Sequence, residues 1–206
     1  MKKLFLILLI LLFSFNVCQA LLIDDFEDGS IKLNPEWWTF DIQKCQVASN
    51  ESNKTLLLQG KAKNWYAGGI GTYLAKEKTD LSKYQDVQLD VYGHGAGTLK
   101  IELADDDNGN WDYEQDPNNN WNPIYDDRWI YEQRIDWRGW KTVKINFNDF
   151  VDDNPLVGDD IFNIEQANGS GGLLQMQFIC IGNKADSNFT CNIDNINLVE
   201  ETKEVR

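Results

Sequence analysis

Several segments of this chain alternate apolar and polar residues with a period of two, and convincing helical periodicity is absent. Residues 87–92 alternate in this way, as do residues 99–103, 143–147 and 174–180. A strand with one apolar and one polar side belongs to an antiparallel sheet that has one face on a core. The sequence therefore predicts an all-β, antiparallel protein.

Turn-forming residues separate these alternating segments. Gly, Asn, Asp and Pro are concentrated at 93–97, 105–121, 148–160, 168–172 and 182–188. Many short strands separated by such loops are typical of a sandwich or a barrel.

The first twenty residues have the pattern of a secretory signal peptide. Two lysines precede an apolar run, and residues 18–20 carry small side chains at the two positions that a signal peptidase reads. The run is shorter than the roughly 20 residues of a membrane-spanning helix. We therefore expect cleavage after Ala20 and a secreted or periplasmic location. Lipid attachment at Cys18 is an alternative that residues 15–17 disfavour, because they are not the small residues expected before a lipidated cysteine.

The rest of the chain predicts one domain. Residues 21–200 contain no Pro-, Gly- or Ser-rich linker, no internal repeat and no second apolar stretch long enough to span a membrane. Residues 201–206 are expected to form a C-terminal tail.

The charge balance bears on possible partners. The 206 residues include 33 acidic and 19 basic side chains, for a formal net charge of −14. Nucleic acid is therefore disfavoured as a partner. Eight Trp, seven Tyr and ten Phe are also present, so many aromatic rings must lie outside the core.

Loss of the signal would remove one of the four cysteines and leave Cys45, Cys180 and Cys191. A disulfide between Cys180 and Cys191 is plausible, with Cys45 left over; three small buried apolar residues are an equal alternative. None of the three has the spacing of a zinc or redox site.

Four segments, spread from one end of the mature chain to the other, resemble galactose-binding-like jelly-roll domains. They are LIDDFEDG at 22–29, TDLSKYQDVQLDV at 79–91, WKTVKINFNDF at 140–150 and CNIDNINL at 191–198. Within this group they resemble the calcium-containing carbohydrate-binding modules attached to cellulases and the complex I intermediate-associated domain group. The resemblance implies a jelly-roll β-sandwich.

The resemblance also implies a structural calcium that ties the first strand to the last. Its ligands would be Asp25 or Glu27, together with Asp194. Ca²⁺ takes six to eight oxygens, which paired carboxylates and backbone carbonyls supply. The alternative is that these acids cap turns and face water.

A second acidic cluster at 105–112 is not an EF-hand loop. Counting from Asp105 puts Gly109 at the fifth position, and counting from Asp106 puts Trp111 where the glycine of the sharp turn should be. We interpret the cluster as a solvated loop, with a second cation site as an alternative.

A glycan is the ligand that the resemblance implies. Sugars need planar polar groups for their hydroxyls and an aromatic ring for the apolar face of the pyranose. The polar members of the strands are expected to form one face, with Tyr92 as the stacking ring, and Trp111 and Trp121 are expected to contribute from a loop. The predicted carbohydrate-binding residues are Asp90, Tyr92, Glu102, Trp111, Trp121, Glu132, Arg134, Gln175 and Gln177.

Two alternatives explain the same residues without a ligand. In the first, the polar face is the solvated side of a sheet; in the second, the loop tryptophans form a small satellite core. Trp137 and Trp140 are expected to pack inside.

The functional prediction is a non-catalytic carbohydrate-binding module, with two alternatives. The first is an adhesion or assembly domain with a protein partner. The second is a glycoside-active enzyme that uses Glu102 and Glu132 as a carboxylate pair. His94 is the only histidine, which disfavours a Ser/His/Asp triad and a His-rich zinc site.

Overall fold

The structure is a computed structural model that describes residues 19–50, 53–74 and 78–200. Within these ranges the strands are β1 (Ala20–Asp24), β2 (Trp38–Phe40), β3 (Lys44–Asn50), β4 (Asn53–Lys61), β5 (Tyr66–Tyr73), β6 (Tyr84–His94) and β7 (Thr98–Asp106). They continue with β8 (Gln115–Asp116), β9 (Asn122–Pro123), β10 (Arg128–Arg134), β11 (Arg138–Asn146), β12 (Val151–Asp152), β13 (Gly172–Ile181) and β14 (Asn188–Glu200). A single 3₁₀ turn, Phe147–Asp149, follows β11.

The strands form two antiparallel sheets that pack as a sandwich. Sheet I has the order β11-β6-β14-β4-β3, with β1 beside β14. Sheet II has the order β12-β10-β7-β13-β5-β2, and β8 and β9 form a separate small hairpin. The predicted all-β sandwich is therefore confirmed. Most of the predicted signal peptide, including Cys18, and the tail at 201–206 lie outside the described residues.

The alternating residues of the sequence explain the core. In β6, Val87, Leu89 and Val91 are buried, whereas Gln88 and Asp90 are only partly covered. The same pattern in β4, β7, β13 and β14 gives both sheets one apolar face, and these two faces pack against each other.

The short connection between β6 and β7 decides which face each polar residue occupies. Gly95 and Gly97 have φ values of +83° and +102°, which glycine adopts without strain. This turn carries the chain from sheet I to sheet II, so β6 and β7 lie in opposite sheets.

The three cysteines of the described chain are free thiols. Cys180 lies on β13 of sheet II and Cys191 lies on β14 of sheet I, and both are buried in the core between the sheets. Burial raises the pKa of both thiols. The structure thus agrees with the alternative of small buried apolar residues for Cys180 and Cys191, whereas Cys45 is only partly buried.

None of the described residues belongs to a helix that is long and apolar enough to cross a bilayer.

Candidate functional site

The outer face of sheet II carries rows of side chains that lie in register across its strands. One row runs Trp38, Gly71, Gln177, Glu102, Ile130 from β2 to β10, and the next runs Phe40, Gly69, Ile179, Lys100, Glu132. Residues paired across antiparallel strands project to the same face, so each row is one strip of surface. The strip begins with aromatic rings on β2 and becomes polar toward β7 and β10.

The indole of Trp38 lies directly against the backbone of β5. A Cβ atom added to Gly71 would be 2.4 Å from Cζ2 and 2.6 Å from Cε2 of Trp38, and one added to Gly69 would be 2.6 Å from Cζ of Phe40. The two glycines therefore leave the space that lets both rings lie on the sheet.

Two further rings border the outer face of sheet II, Tyr73 beside Trp38 and Trp65 beside the polar end. The ring centroid of Tyr73 is 5.3 Å from that of Trp38, and Tyr73 is 44% exposed. Trp65 is 55% exposed and contacts Tyr66 edge-on at 5.7 Å. The Tyr73 hydroxyl donates to Asp112 Oδ1 at 3.3 Å, which ties the long loop after β7 to this edge of the face. Burial and the nearby Asp112 carboxylate raise the pKa of Tyr73.

Charged and amide groups occupy the centre of the face. Lys100 Nζ pairs with Glu102 Oε1 at 2.5 Å, and Gln177 Nε2 donates to Gln175 Oε1 at 2.5 Å. Next to them lies a depression of about 330 Å³ lined by Trp65, Lys100, Ile130, Glu132, Asp153 and Ile181. The face thus combines exposed rings with hydrogen-bonding groups that their neighbours hold in place.

The loop between β7 and β10 folds back onto the outer face of sheet II. Tyr113 packs there with Ala104 and Leu174 as a small satellite core. Trp111 and Trp121 belong to the same loop but stay exposed, Trp121 by 61%. The satellite core predicted as an alternative therefore exists, but a tyrosine fills it and the tryptophans remain accessible.

The prediction of one polar face is wrong. Glu102, Glu132, Gln175 and Gln177 share the outer face of sheet II, with Arg134 at the edge, paired with Thr98. Asp90 and Tyr92 lie on β6 and so face outward from sheet I. Apolar and polar residues alternate in the same way in β6 and β7. The two groups of polar residues lie on different faces only because the chain crosses from sheet I to sheet II after His94.

Trp140 also departs from expectation. It was expected inside, but it lies on the outer face of sheet I, is 49% exposed and contacts Tyr92 edge-on at 5.4 Å. Trp137 is half-buried. Trp140 also lines a depression of about 360 Å³ on sheet I, together with Asp90, Thr142 and Asp194.

The residues expected to hold calcium lie near the opening segment and β14. Asp194 accepts from Asn53 Nδ2 at 2.9 Å and from its neighbour's backbone, while the Lys54 amide donates to Glu27 Oε1 at 2.7 Å. The Lys54 ammonium contacts the Glu27 carbonyl oxygen and so brings positive charge to an oxygen that calcium would use. Asp25 caps its own turn through the Glu27 amide. Burial raises the pKa of Asp194, and the charges of Asp90 and Glu27 add to that shift. Calcium at these residues stays a prediction.

The carboxylate pair of the enzyme alternative lies on neighbouring strands. Glu102 pairs in register with Ile130, and Glu132 pairs with Lys100, so both acids face outward from sheet II. The ion pair with Lys100 already engages the Glu102 carboxylate.

Trp38 and Tyr73 were not predicted from the sequence as site residues. A signal for Trp38 does exist, since Trp37 and Trp38 are adjacent and only one of them can point into the core of a strand. The glycines at 69 and 71 share one face of β5, and this spacing indicates that something bulky lies across them.

Solved structures of known proteins share this fold. No family model matches the sequence, and no curated protein matches it. Among solved structures, the family 11 carbohydrate-binding module of the cellulosomal cellulase Lic26A-Cel5E of Clostridium thermocellum superposes with a TM-score of 0.57 at 17% identity, covering 92% of this chain and 99% of that one. This chain has the fold of a carbohydrate-binding module. The Clostridium thermocellum family 11 module in complex with a β-1,3-1,4-mixed-linked tetrasaccharide gives the same TM-score at 18% identity, covering 90% of this chain and 98% of that one.

The solution structure of CtCBM11 is similar as well, with a TM-score of 0.54 at 17% identity over 89% of this chain and 96% of that one. The resemblance to carbohydrate-binding modules is thereby confirmed at the level of the fold. None of these three structures is a complex I intermediate-associated domain, so that half of the resemblance stays a prediction.

Proposed function

We propose that this protein is a non-catalytic module that binds a polysaccharide along the outer face of sheet II. The observation that carries the proposal is the Trp38 indole, which lies against Gly71 at the start of a row that continues through Gln177 and Glu102. An aromatic ring at the surface receives the apolar face of a pyranose, and amide and carboxylate groups receive its hydroxyls.

The length of this row suits a chain of several sugars better than a single one. From β2 to β10 the row crosses four gaps between strands, or about 19 Å at the usual spacing of neighbouring strands. Trp65 and Tyr73 flank the row with further exposed rings. A linear glycan lying across the strands would contact both the aromatic and the polar end.

A mixed-linked β-glucan is the first ligand to test. The solved module that holds a β-1,3-1,4-linked tetrasaccharide has the same fold as this chain. In this proposal the signal-like sequence of residues 1–20 exports the protein, so that the binding face meets its glycan outside the cytoplasm.

The proposal predicts that Trp38→Ala weakens binding strongly, whereas Trp140→Ala does not. Loss of a central aromatic anchor costs about 2 kcal/mol, or roughly thirty-fold in Kd. Trp140 is the control because it is an exposed tryptophan that lies on sheet I. Isothermal titration with soluble barley-type β-glucan, xylan and mannan measures both variants against the unmodified protein.

Two results would contradict the proposal. Equal affinities for Trp38→Ala and the unmodified protein would remove sheet II as the binding face, and release of reducing ends during the titration would show that the protein is catalytic. Loss of binding in Trp140→Ala alone would move the site to sheet I, where Asp90 and Tyr92 lie.

A further inference from the structure

Three aspartates converge where β7 ends and β10 begins. Single carboxylate oxygens of Asp105, Asp107 and Asp127 all lie within 4.8 Å of one another. Oxygens bound to one Ca²⁺ ion at about 2.4 Å can be no more than about 4.8 Å apart, so the spacing matches that of ligands around one ion. The cluster lies in a different part of the chain from Asp25, Glu27 and Asp194.

Burial separates this cluster from an ordinary solvated acidic loop. Asp105 and Asp127 are 0% exposed, and Asp107 is half-buried. Among the ion pairs of the described ranges, none includes any of these three aspartates. A buried carboxylate that has no cation beside it is costly, because its charge has lost the stabilisation that water provides.

An unpartnered oxygen points to a missing ligand. Asp127 accepts from the Ile161 amide through Oδ2 at 3.2 Å, but its buried Oδ1 has no hydrogen-bond partner. The buried Oδ1 of Asp107 is also without a partner. Asp127 Oδ1 faces Asp107, since it and Asp107 Oδ2 both lie 2.3 Å from the point where a Cβ of Gly158 would be.

Gly158 closes the backbone over these oxygens. Its φ is +78°, a conformation that other residues rarely adopt, and any side chain there would collide with both carboxylates. The Asn163 amide donates to Asp105 Oδ2 at 2.5 Å from the same segment. The loop at 158–163 therefore rests on the acidic cluster.

The electrostatics agree with this geometry. Burial raises the pKa of Asp105 to about 9, that of Asp127 to about 7 and that of Asp107 to about 6, and neighbouring acids add to each shift. A cation among them would favour the charged carboxylates that burial disfavours.

We propose that Asp105, Asp107 and Asp127 bind one Ca²⁺ ion that fixes the loop at 158–163 to the ends of β7 and β10. Calcium suits the site better than magnesium, because it accepts irregular oxygen cages, whereas Mg²⁺ needs near-ideal octahedral geometry and usually keeps several waters. Backbone carbonyls of the loop and water can complete the shell. The bound ion would therefore stabilise the end of sheet II from which the long loop after β7 leaves.

The test compares thermal melting of the full chain in EGTA and in Ca²⁺, without glycan. Calcium at one hundred times its Kd is expected to raise the Tm of the unmodified protein by about 5 to 10 °C. Asp127→Asn should lose this rise, and Asp107→Asn is a second variant with the same expectation. Asp160→Asn is the matched control, because Asp160 lies in the same loop but its exposed carboxylate is not part of the cluster, so this variant should keep the full rise.

The direction in which Asp127→Asn changes the Tm in EGTA is a second readout. Asp127→Asn removes an uncompensated buried charge, so it should melt at or above the unmodified protein in EGTA but below it in calcium. Terbium luminescence excited through tryptophan is a direct readout, since Trp129 Nε1 is 3.0 Å from Asp105 Oδ1. It should appear in the unmodified protein and in Asp160→Asn, and be absent in Asp127→Asn.

The proposal is overturned if calcium leaves the Tm unchanged, or if Asp127→Asn keeps the full rise. A rise that Asp194→Asn abolishes and Asp127→Asn retains would place the only calcium at the chain ends and also overturn it. An equal rise with Mg²⁺ alone would overturn the assignment to calcium.

Discussion

Trp37→Ala is expected to lower the free energy of unfolding by about 3 to 5 kcal/mol, the usual cost of truncating a fully buried large aromatic side chain. Trp37 is 0% exposed and stacks on Phe178 with ring centroids 5.8 Å apart. Its indole also donates to Asp24 Oδ2 at 2.8 Å, so the truncation removes a hydrogen bond from a buried carboxylate as well as leaving a cavity. Urea denaturation followed by circular dichroism measures the loss.

Trp38→Ala is the matched control for this prediction. Trp38 is adjacent in sequence but lies on the outer face of sheet II, so its truncation should cost much less stability while it weakens glycan binding. If Trp37→Ala is too unstable to purify, Trp37→Phe should unfold at an intermediate urea concentration, since it keeps part of the ring and loses the bond to Asp24. An unchanged midpoint in either Trp37 variant would contradict the assignment of Trp37 to the core.

Alternation predicts the fold well because it reports directly which side of a strand is buried. The segments at 87–92, 99–103 and 174–180 all lie in strands, and their alternating apolar members fill the core, except that Leu174 lies in the satellite core with Tyr113. Each strand supplies this information by itself, without knowledge of its neighbours.

Sheet membership is different, because it depends on how the connections cross. The alternation of β6 is as regular as that of β7, yet Asp90 faces outward from sheet I and Glu102 faces outward from sheet II. The turn at Gly95 and Gly97 is short enough for a hairpin within one sheet, and its sequence does not distinguish a hairpin from a crossing. The prediction of a single polar face was therefore wrong, although the alternation in β6 and in β7 was predicted correctly.

The acidic stretch at 105–112 shows a related limit of prediction from sequence spacing. Comparison with an EF-hand tests ligands that are close in sequence, and by that test the stretch fails. The structure instead gathers Asp105 and Asp107 with Asp127, twenty residues away from Asp107 along the chain. A cluster formed between strands leaves no spacing signature in the sequence.

Gly71→Ala is expected to weaken glycan binding about as much as Trp38→Ala, roughly thirty-fold, although Trp38 remains in the chain. The new methyl group would lie 2.4 Å from Cζ2 of Trp38, which forces the indole off the sheet. Gly71 has no left-handed φ, so the β5 backbone accepts alanine. The ring lies on the outer face of the sheet and can swing toward solvent, so the cost to stability should stay below the cost of overpacking a closed core.

A double variant shows whether the effect of Gly71→Ala acts through Trp38. If the glycine matters only because it seats the indole, Gly71→Ala/Trp38→Ala binds no worse than Trp38→Ala alone, and the two changes are strongly non-additive. Titration of all three variants with the same β-glucan measures this coupling. Additive losses would mean that the alanine acts through Gln177, whose Cγ lies 2.9 Å from the added methyl position, and would contradict the role of Gly71 as the seat of the ring. Strong coupling would show that the position of the Trp38 indole against Gly71, and not only its presence, is what the glycan recognises.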